Sequence, residues 1–180
     1  MWVRSEYAGE LAVLSTWLSA LIPWTVTYTS GIGSGALLFV RFPLVQIRYS
    51  FGVPLARGIA VTDPLSATAF QQGQTIAVAY RVWTLGAAVF ALALVVSVVY
   101  YRRESWAESW AVDPVRLLGT LLLTAGVVLA VAAYLLVTRG FPGVQLPVGV
   151  GFLVLFGVLL LIVERTDVGS DAEPESGPAT

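Results

Sequence analysis

The chain has 180 residues, of which 57% are hydrophobic and 12% are charged, with a formal net charge of −1. A soluble domain usually has about a quarter charged residues, so polar side chains are too few here to cover a water-facing surface all round. The near-zero charge does not indicate nucleic-acid binding, and the lack of Cys and His excludes disulfides, thiolate and imidazole catalysis, and metal sites built from those groups.

Four apolar runs are long enough to cross a bilayer as helices, since a hydrocarbon core of about 30 Å needs roughly 20 residues. They are Leu11–Tyr28, Val82–Tyr101, Leu117–Val137 and Pro147–Val163. We therefore expect an all-α membrane protein with four transmembrane helices, a four-helix bundle over residues 1–163. A soluble protein with buried core helices is the poorer alternative. The first run lacks a small-residue cleavage pattern, so we expect an uncleaved anchor and not a signal peptide.

The segment over residues 30–74 is the longest part of the chain between spanning runs. Apolar residues alternate with polar ones from Val45 to Phe51, and this period of two is typical of a strand with one buried face. We expect two or three short strands here, packed at the membrane surface as an extracellular insertion between the first two helices. A re-entrant apolar hairpin around Ala36–Val45 is the alternative, although Arg41 and Pro43 do not favour it.

Aromatic and basic residues mark both ends of the second span, where amphipathic rings and long cationic side chains reach the lipid headgroups. The expected membrane-interface anchors are Arg81, Tyr100, Tyr101, Arg102, Arg103, Trp106 and Trp110. A functional intramembrane cation is the alternative for Arg81. Because Trp106 and Trp110 lie four residues apart, on one face of a helix, we expect a short interfacial helix over residues 104–112.

Small residues recur at helical spacing in the third and fourth spans, which allows close approach of helix backbones in lipid. The expected helix-packing residues are Gly119, Gly126, Ala130, Ala133, Gly149 and Gly157. The short link over residues 138–146 contains Gly140 and Pro142 and predicts an antiparallel helix pair. The acidic segment over residues 164–180 cannot bury apolar surface, so we expect a disordered C-terminal tail.

Four spans would place both termini on one side of the membrane, with five arginines on each side. The arginines on the terminal side all lie close to a span, and Arg102 and Arg103 lie directly at a helix exit. The positive-inside rule gives most weight to such residues. We therefore expect a multi-pass cell-membrane protein with cytoplasmic N- and C-termini and an external segment over residues 30–74.

Recognisable chemistry is missing from the apolar runs, whose cores hold scattered Ser, Thr and Tyr but no ionisable cluster. Membrane hydrolases, transferases and ion carriers need carboxylates, His, Cys or a Ser/Lys arrangement. The glycines at 31, 33 and 35 are not a phosphate loop, because no Lys-Ser/Thr follows them. We expect no catalytic residue, no metal site and no cofactor.

Arginine without lysine, an acidic tail and two short phrases resemble small uncharacterised membrane proteins of halophilic archaea. The phrases are WVRSEYAGEL at residues 2–11 and DPVRLLG at residues 113–119. The resemblance covers most of the chain. It implies a membrane location and carries over no activity and no catalytic residue.

These observations together favour a non-enzymatic integral membrane accessory or scaffold protein. Its expected partners are the lipid bilayer and either another membrane protein or further copies of itself in a homo-oligomer. One alternative is an oligomeric transporter or channel component, with a path lined by Arg81, Thr84, Ser97, Thr120 and Thr124. A second alternative is an enzyme acting on lipid headgroups through Asp63, Asp113 or Glu108.

Overall fold

The computed structural model describes residues 2–32, 35–53, 58–103, 106, 109–110, 112–162 and 164–166. Its helices within these ranges are α1 (Ser5–Leu21), α2 (Pro64–Phe70), α3 (Ala77–Arg102), α4 (Pro114–Thr138) and α5 (Val148–Ile162). Its strands are β1 (Trp2–Arg4), β2 (Thr25–Ile32), β3 (Gly35–Arg41), β4 (Gln46–Phe51), β5 (Ile59–Thr62), β6 (Val144–Leu146) and β7 (Glu164–Thr166).

The expectation of an all-α protein with four transmembrane helices is wrong. Among the described residues, two helices are long and apolar enough to cross a membrane, α3 and α4. α1 ends at Leu21, just before Pro23, which cannot donate a helical hydrogen bond, and residues 25–28 of the expected first span lie in β2. α5 has 15 residues and is therefore about 22 Å long, which is shorter than a hydrocarbon core.

An antiparallel sheet of five strands, in the order β5-β4-β3-β2-β6, replaces the two or three short strands expected. β2 to β5 follow one another along the chain as successive hairpins. β6 comes from the link between α4 and α5 and pairs with β2 from Val26↔Leu146 to Tyr28↔Val144. The region in which a re-entrant hairpin was the alternative forms the β3–β4 hairpin of this sheet. The fold is therefore a mixed one, in which the sheet draws on two distant parts of the chain.

The four longer helices pack side by side, with α4 between α3 and α5 and with α1 in contact with all three. Trp17 joins α1 to α3 through a hydrogen bond from its Nε1 to Ser97 Oγ at 3.1 Å. At the other end of this pair, the Trp24 and Trp83 rings lie 6.1 Å apart. α1 and α3 are therefore antiparallel, and the sheet begins at the end where α1 finishes.

The described ends of the chain lie together, at the end of the molecule opposite the sheet. β1 and β7 pair in parallel, with Trp2 opposite Glu164. Residues 164–166, expected at the start of a disordered tail, are thus in a strand, while residues 167–180 lie outside the described residues. Most of the interfacial helix expected over residues 104–112 also falls outside them, although the Trp106 and Trp110 rings stack edge to face at 5.2 Å.

Candidate functional site

The five-stranded sheet turns most of its polar side chains toward the helices and most of its apolar side chains away from them. Neighbouring residues of a strand point to opposite faces, and the register carries each face across all five strands. The inner face bears Thr25, Thr27, Thr29, Leu37, Phe39, Arg41, Gln46, Arg48, Ser50, Ala60, Thr62 and Gln145. The outer face bears Val26, Tyr28, Ser30, Ala36, Leu38, Val40, Ile47, Tyr49, Phe51, Ile59, Val61, Val144 and Leu146. The strand pattern was recognised from the sequence, but the apolar face is the one that points outward.

Arg41, the last residue of β3, is fully buried between the inner face and the first turns of α3. Its Nε donates to Gln46 Oε1 at 2.8 Å and its Nη1 donates to Thr27 Oγ1 at 2.7 Å. Its Nη2 donates to the Tyr80 hydroxyl on α3 at 3.3 Å. The three sides of the planar guanidinium are thus matched to three neutral oxygens, which come from β4, β2 and α3.

Aromatic rings complete the surroundings of this cation. The Arg41 guanidinium carbon lies 4.6 Å from the centre of the Phe141 ring and 5.0 Å from that of Phe39, and ring faces attract cations. Within the described part of the chain, no carboxylate pairs with it. Burial lowers the pKa of Arg41 from its ordinary value because the charged form loses hydration, and the nearby Tyr80 hydroxyl partly opposes this effect.

Contacts at successive levels of the sheet position this cluster. At the end of the sheet nearest the helices, the β3–β4 turn is closed by a hydrogen bond from Phe42 N to Val45 O at 2.8 Å. At the same end, Trp83 Nε1 on α3 donates to Pro43 O at 3.0 Å. Farther along the strands, Thr29 Oγ1 donates to Pro142 O at 2.7 Å. Since Pro142 lies in the loop that continues beyond α4, the strands run away from the helix ends.

A cavity of about 300 Å³ lies between the inner face and α2. Its wall includes Arg48, Gln71, Phe39, Phe70 and Tyr80. The Nε atom of Arg48 and the Oε1 atom of Gln71 are buried and have no hydrogen-bond partner. α2 is held over this cavity by a hydrogen bond of 2.9 Å between the Thr68 and Thr84 hydroxyls. A donor and an acceptor beside the cavity thus have unused hydrogen-bonding capacity.

The glycines expected to pack helices lie at close contacts of α4 and α5. A Cβ placed on Gly126 would lie 3.0 Å from Val154 Cγ2, and one on Gly157 would lie 2.6 Å from Leu123 N. A Cβ on Gly119 would lie 2.9 Å from Leu160 Cβ. Two further members of the set, Ala130 and Ala133, line an apolar cavity of about 320 Å³ between α4 and α5.

Gly149 differs from the other glycines of this set, because its close neighbour is the chain between α1 and β2. Its N–H donates to Pro23 O at 3.0 Å, so it joins the start of α5 to the turn that precedes the sheet. A side chain at this position would collide with the Pro23 carbonyl and the Trp24 backbone.

Most of the residues expected to anchor the protein at the membrane interface are exposed, namely Arg81, Tyr101, Arg102, Arg103 and Trp106, and Trp110 is half-buried. Tyr100 is different, since it is buried and covers Gly9 of α1. Tyr100 therefore packs helices together, whereas Tyr101 on the neighbouring side of α3 faces outward.

The residues considered for a transport path do not come together. Thr84 accepts and donates hydrogen bonds at the α2–α3 contact, and Ser97 is buried under Trp17. The Thr120 and Thr124 hydroxyls are exposed on α4 and donate to carbonyls of their own helix. Arg81 is also exposed, so these side chains line no common channel in the described residues.

The carboxylates considered for headgroup chemistry act as helix caps. Asp63 Oδ1 accepts from Leu65 N and Ser66 N at 2.9 Å, and Asp113 Oδ1 accepts from Val115 N at 2.8 Å. Glu108 lies outside the described residues. Groups of three or more His, Cys, Asp or Glu residues that could hold a metal ion are absent from the part of the chain that the structure describes.

The Arg41 cluster was not anticipated from the sequence. Its one sequence signal is an arginine that ends the apolar run Ala36–Val40 directly before Phe42-Pro43. The acceptors that surround Arg41 lie up to 39 residues away along the chain, and spacing alone does not connect them.

Comparison with known proteins adds one result to this geometry. No curated protein matches the chain. A model of a family of unknown function, DUF7549, matches residues 1–165, a range that includes the five-stranded sheet, the helices and the Arg41 cluster. The chain therefore belongs to the DUF7549 family.

Proposed function

We propose that this protein is a non-enzymatic integral membrane scaffold that assembles with a second copy of itself through the outer face of its five-stranded sheet. The observation that carries the proposal is the chemistry of that face. Over the strand residues that the structure describes, its side chains are apolar or hydroxyl-bearing and none is charged. Large uncharged apolar surfaces on soluble parts of proteins are usually covered by a partner.

The outer surface of α3 supports a location in the membrane. Between Arg81 and Arg102, its exposed residues are Leu85, Ala88, Leu92, Val95, Val98 and Tyr101. The two arginines are 21 positions apart and so about 31 Å apart along the helix, which is close to the thickness of a hydrocarbon core. Arg116 and Arg139 flank α4 in the same way. We propose that α3 and α4 span the bilayer, with α1 and α5 packed beside them.

Orientation follows from the arginines at the end opposite the sheet. Arg102 and Arg103 directly follow the apolar part of α3, and Arg116 precedes that of α4. The positive-inside rule then favours cytoplasmic termini and an external sheet. We further propose that the family comprises membrane proteins of halophilic archaea, which the use of arginine without lysine supports.

The direction of the strands favours a protein over lipid as the cover for the outer face. Ser30 lies five residues beyond Thr25 on β2, about 17 Å farther from the helix ends. A bilayer around α3 and α4 would reach the strand ends nearest the helices and leave the rest of each strand in water. There the exposed fractions of Phe51 on β4 and Ile59 on β5, which lie level with Ser30 and Tyr28, are 53% and 58%.

A second copy fits this face better than an unrelated protein. Five strands of about six residues cover about 500 Å² of flat area, so two copies would bury about 1,000 Å² or more, the lower bound for a specific interface. An uncharged face offers no charge pattern for recognising a different partner, but it is complementary to itself. A twofold axis along the membrane normal brings two such faces together in one membrane.

Cysteine crosslinking in membranes tests the proposal, and the chain contains no native Cys to interfere. Leu38 is on β3, the central strand, so Leu38→Cys places two thiols near the twofold axis. Leu65→Cys is the matched control, because Leu65 is exposed on α2 at the opposite side of the sheet. We expect a disulfide-linked dimer for Leu38→Cys and a monomer for Leu65→Cys.

Equal crosslinking of the two variants would overturn assembly through the sheet. So would the absence of a crosslinked Leu38→Cys dimer under conditions in which maleimide labels its thiol. Capture of a different protein at Leu38 would replace the second copy by that partner. Extraction with alkaline carbonate tests the membrane location separately, since release of the protein into the supernatant would contradict it.

A further inference from the structure

We propose that the cavity between the inner face of the sheet and α2 binds a small organic anion, with its carboxylate held by Arg48 and its apolar part against the aromatic wall. This binding site goes beyond the scaffold role and does not depend on dimer formation. Three independent features of the cavity support it: its charge, its unused hydrogen-bonding groups, and its aromatic surface.

The charge of the cavity is positive. Arg48 lies on β4, two residues from Gln46 and on the same face, and Gln46 in turn holds Arg41. Two guanidinium groups therefore lie on neighbouring levels of one face, and neither pairs with a carboxylate of the described residues. The carboxylate of Asp63, at the start of α2, is exposed and accepts from N–H groups of its own helix. A partly desolvated cavity with this charge favours an anion over a cation or a neutral molecule.

Arg41 and Arg48 differ in how much of their hydrogen-bonding capacity is used. All three guanidinium nitrogens of Arg41 donate to protein oxygens, so this residue is held in place and has little capacity for a ligand. Arg48 Nε has no partner although it is buried. A buried donor without a partner is costly, and a carboxylate that accepts from Arg48 would remove that cost with a charge-assisted bond.

The remaining wall selects an organic anion over an inorganic one. Phe39 and Phe141 meet edge to face at 5.2 Å, and Phe70 and Tyr80 add two more rings. The cavity volume of about 300 Å³ is at the lower end of the range for small-molecule sites, which are mostly apolar with a few polar groups. An inorganic ion would leave the rings in contact with water. The unpartnered Gln71 Oε1 is an acceptor for a hydroxyl or amide of the ligand.

Benzoate and benzamide are matched probes for this site, because they share a ring and a planar head group and differ in charge. Binding is measured by calorimetry on the full chain in nanodiscs of zwitterionic lipid. Arg48→Gln removes the charge at the cavity, and Arg116→Gln makes the same change at an exposed position on α4. We expect saturable benzoate binding, at least about tenfold weaker binding of benzamide, and a similar loss of benzoate affinity in Arg48→Gln but not in Arg116→Gln.

No benzoate binding up to about 10 mM would overturn the proposal, since the binding free energy would then be weaker than about −3 kcal/mol. Equal binding of benzoate and benzamide, or an unchanged benzoate affinity in Arg48→Gln, would also overturn it. Inorganic phosphate that binds as well as benzoate would contradict the role of the aromatic wall. If Arg48→Gln does not fold, Phe70→Ala supplies the test, since Phe70 is exposed at the rim and its loss leaves the sheet intact. An unchanged benzoate affinity in Phe70→Ala would likewise count against the site. The crosslinking of Leu38→Cys is a separate measurement, so failure of one proposal is distinguishable from failure of the other.

Discussion

The guanidinium carbon of Arg41 lies 4.6 Å from the centre of the Phe141 ring, and this contact joins the end of β3 to the loop after α4. The same guanidinium donates to Tyr80 on α3. One buried cation therefore connects the sheet to α3 and to the loop after α4. Its surroundings are neutral oxygens and rings, so the planar shape of the group matters as much as its charge.

Replacement of Arg41 by Lys is expected to destabilise the fold although the charge is kept. A single ammonium group cannot reach Gln46, Thr27 and Tyr80 from one position, so at least one charge-assisted bond is lost, at a cost of roughly 2–3 kcal/mol. Arg81→Lys, on the exposed side of α3, is the control and should leave the melting temperature unchanged. Thermal unfolding in mild detergent measures both. Equal melting temperatures for the two variants would contradict a structural role for the Arg41 fork.

Replacement of Gly126 by Leu is expected to separate α4 from α5. Because a Cβ at this position would already lie 3.0 Å from Val154 Cγ2 and 3.1 Å from Leu153 Cβ, a larger side chain forces the helices apart, at a cost of about 1–3 kcal/mol. Gly151→Leu is a control on α5, where a Cβ meets nothing within 4 Å. The melting temperature in detergent should fall for the first variant alone. A fall of the same size in Gly151→Leu would point to a general effect of leucine.

Labelling of introduced cysteines tests the orientation in the membrane. Ser50 is unsuitable for this purpose, because its hydroxyl is buried. Leu65 at the sheet end and Trp106 at the opposite end have exposed fractions of 70% and 52%. An impermeant maleimide applied to intact cells should label Leu65→Cys and leave Trp106→Cys unlabelled until the cells are opened. The reverse pattern would place the sheet in the cytoplasm.

Acid is expected to loosen α2 through Asp63. Hydrogen bonds from Ser66, first from its side chain and then from its backbone, lower the pKa of Asp63 below its ordinary value. A carboxyl whose pKa is lowered by folding stabilises the fold above its unfolded pKa, and this contribution is lost as the pH falls through the folded pKa. Hydrogen exchange of residues 64–70 measures the effect at each pH, with Asp63→Asn as the control.

Asn also caps helices but does not titrate over this range. As the pH falls, hydrogen exchange of residues 64–70 in the wild type should therefore become faster relative to that in Asp63→Asn. A constant difference across the acid range would show that ionisation of Asp63 does not hold α2 in place.

The limits of sequence-based prediction are clearest in β2 and β6. Leu11–Tyr28 is one continuous apolar run, and hydropathy does not show that a helix ends at Leu21 and a strand starts at Thr25. The sequence signal is Pro23, which lies in the last third of the run and cannot donate a helical hydrogen bond. β6 has three residues in the link between α4 and α5, which are too few for a periodic pattern. It is a strand because its backbone pairs with the edge of β2.

Arg41 shows the same limit for the candidate site. An arginine at the end of a short apolar run is compatible with exposure at a membrane surface, and the sequence does not reveal three acceptors contributed by β2, β4 and α3. Arg81, by contrast, is exposed where a long flexible side chain at a helix end was expected to reach solvent or headgroups.

The sequence by itself determined the apolar character of α3 and α4 and the alternation in β4, because each depends on residues a few positions apart. Only the tertiary structure decided which face of the sheet points inward and which groups surround Arg41. An alternation of apolar and polar residues indicates that a strand has two different faces, but it does not indicate which face packs against the helices. That choice depends on the helices, which present Tyr80 and Trp83 to the sheet and so place polar strand residues inside.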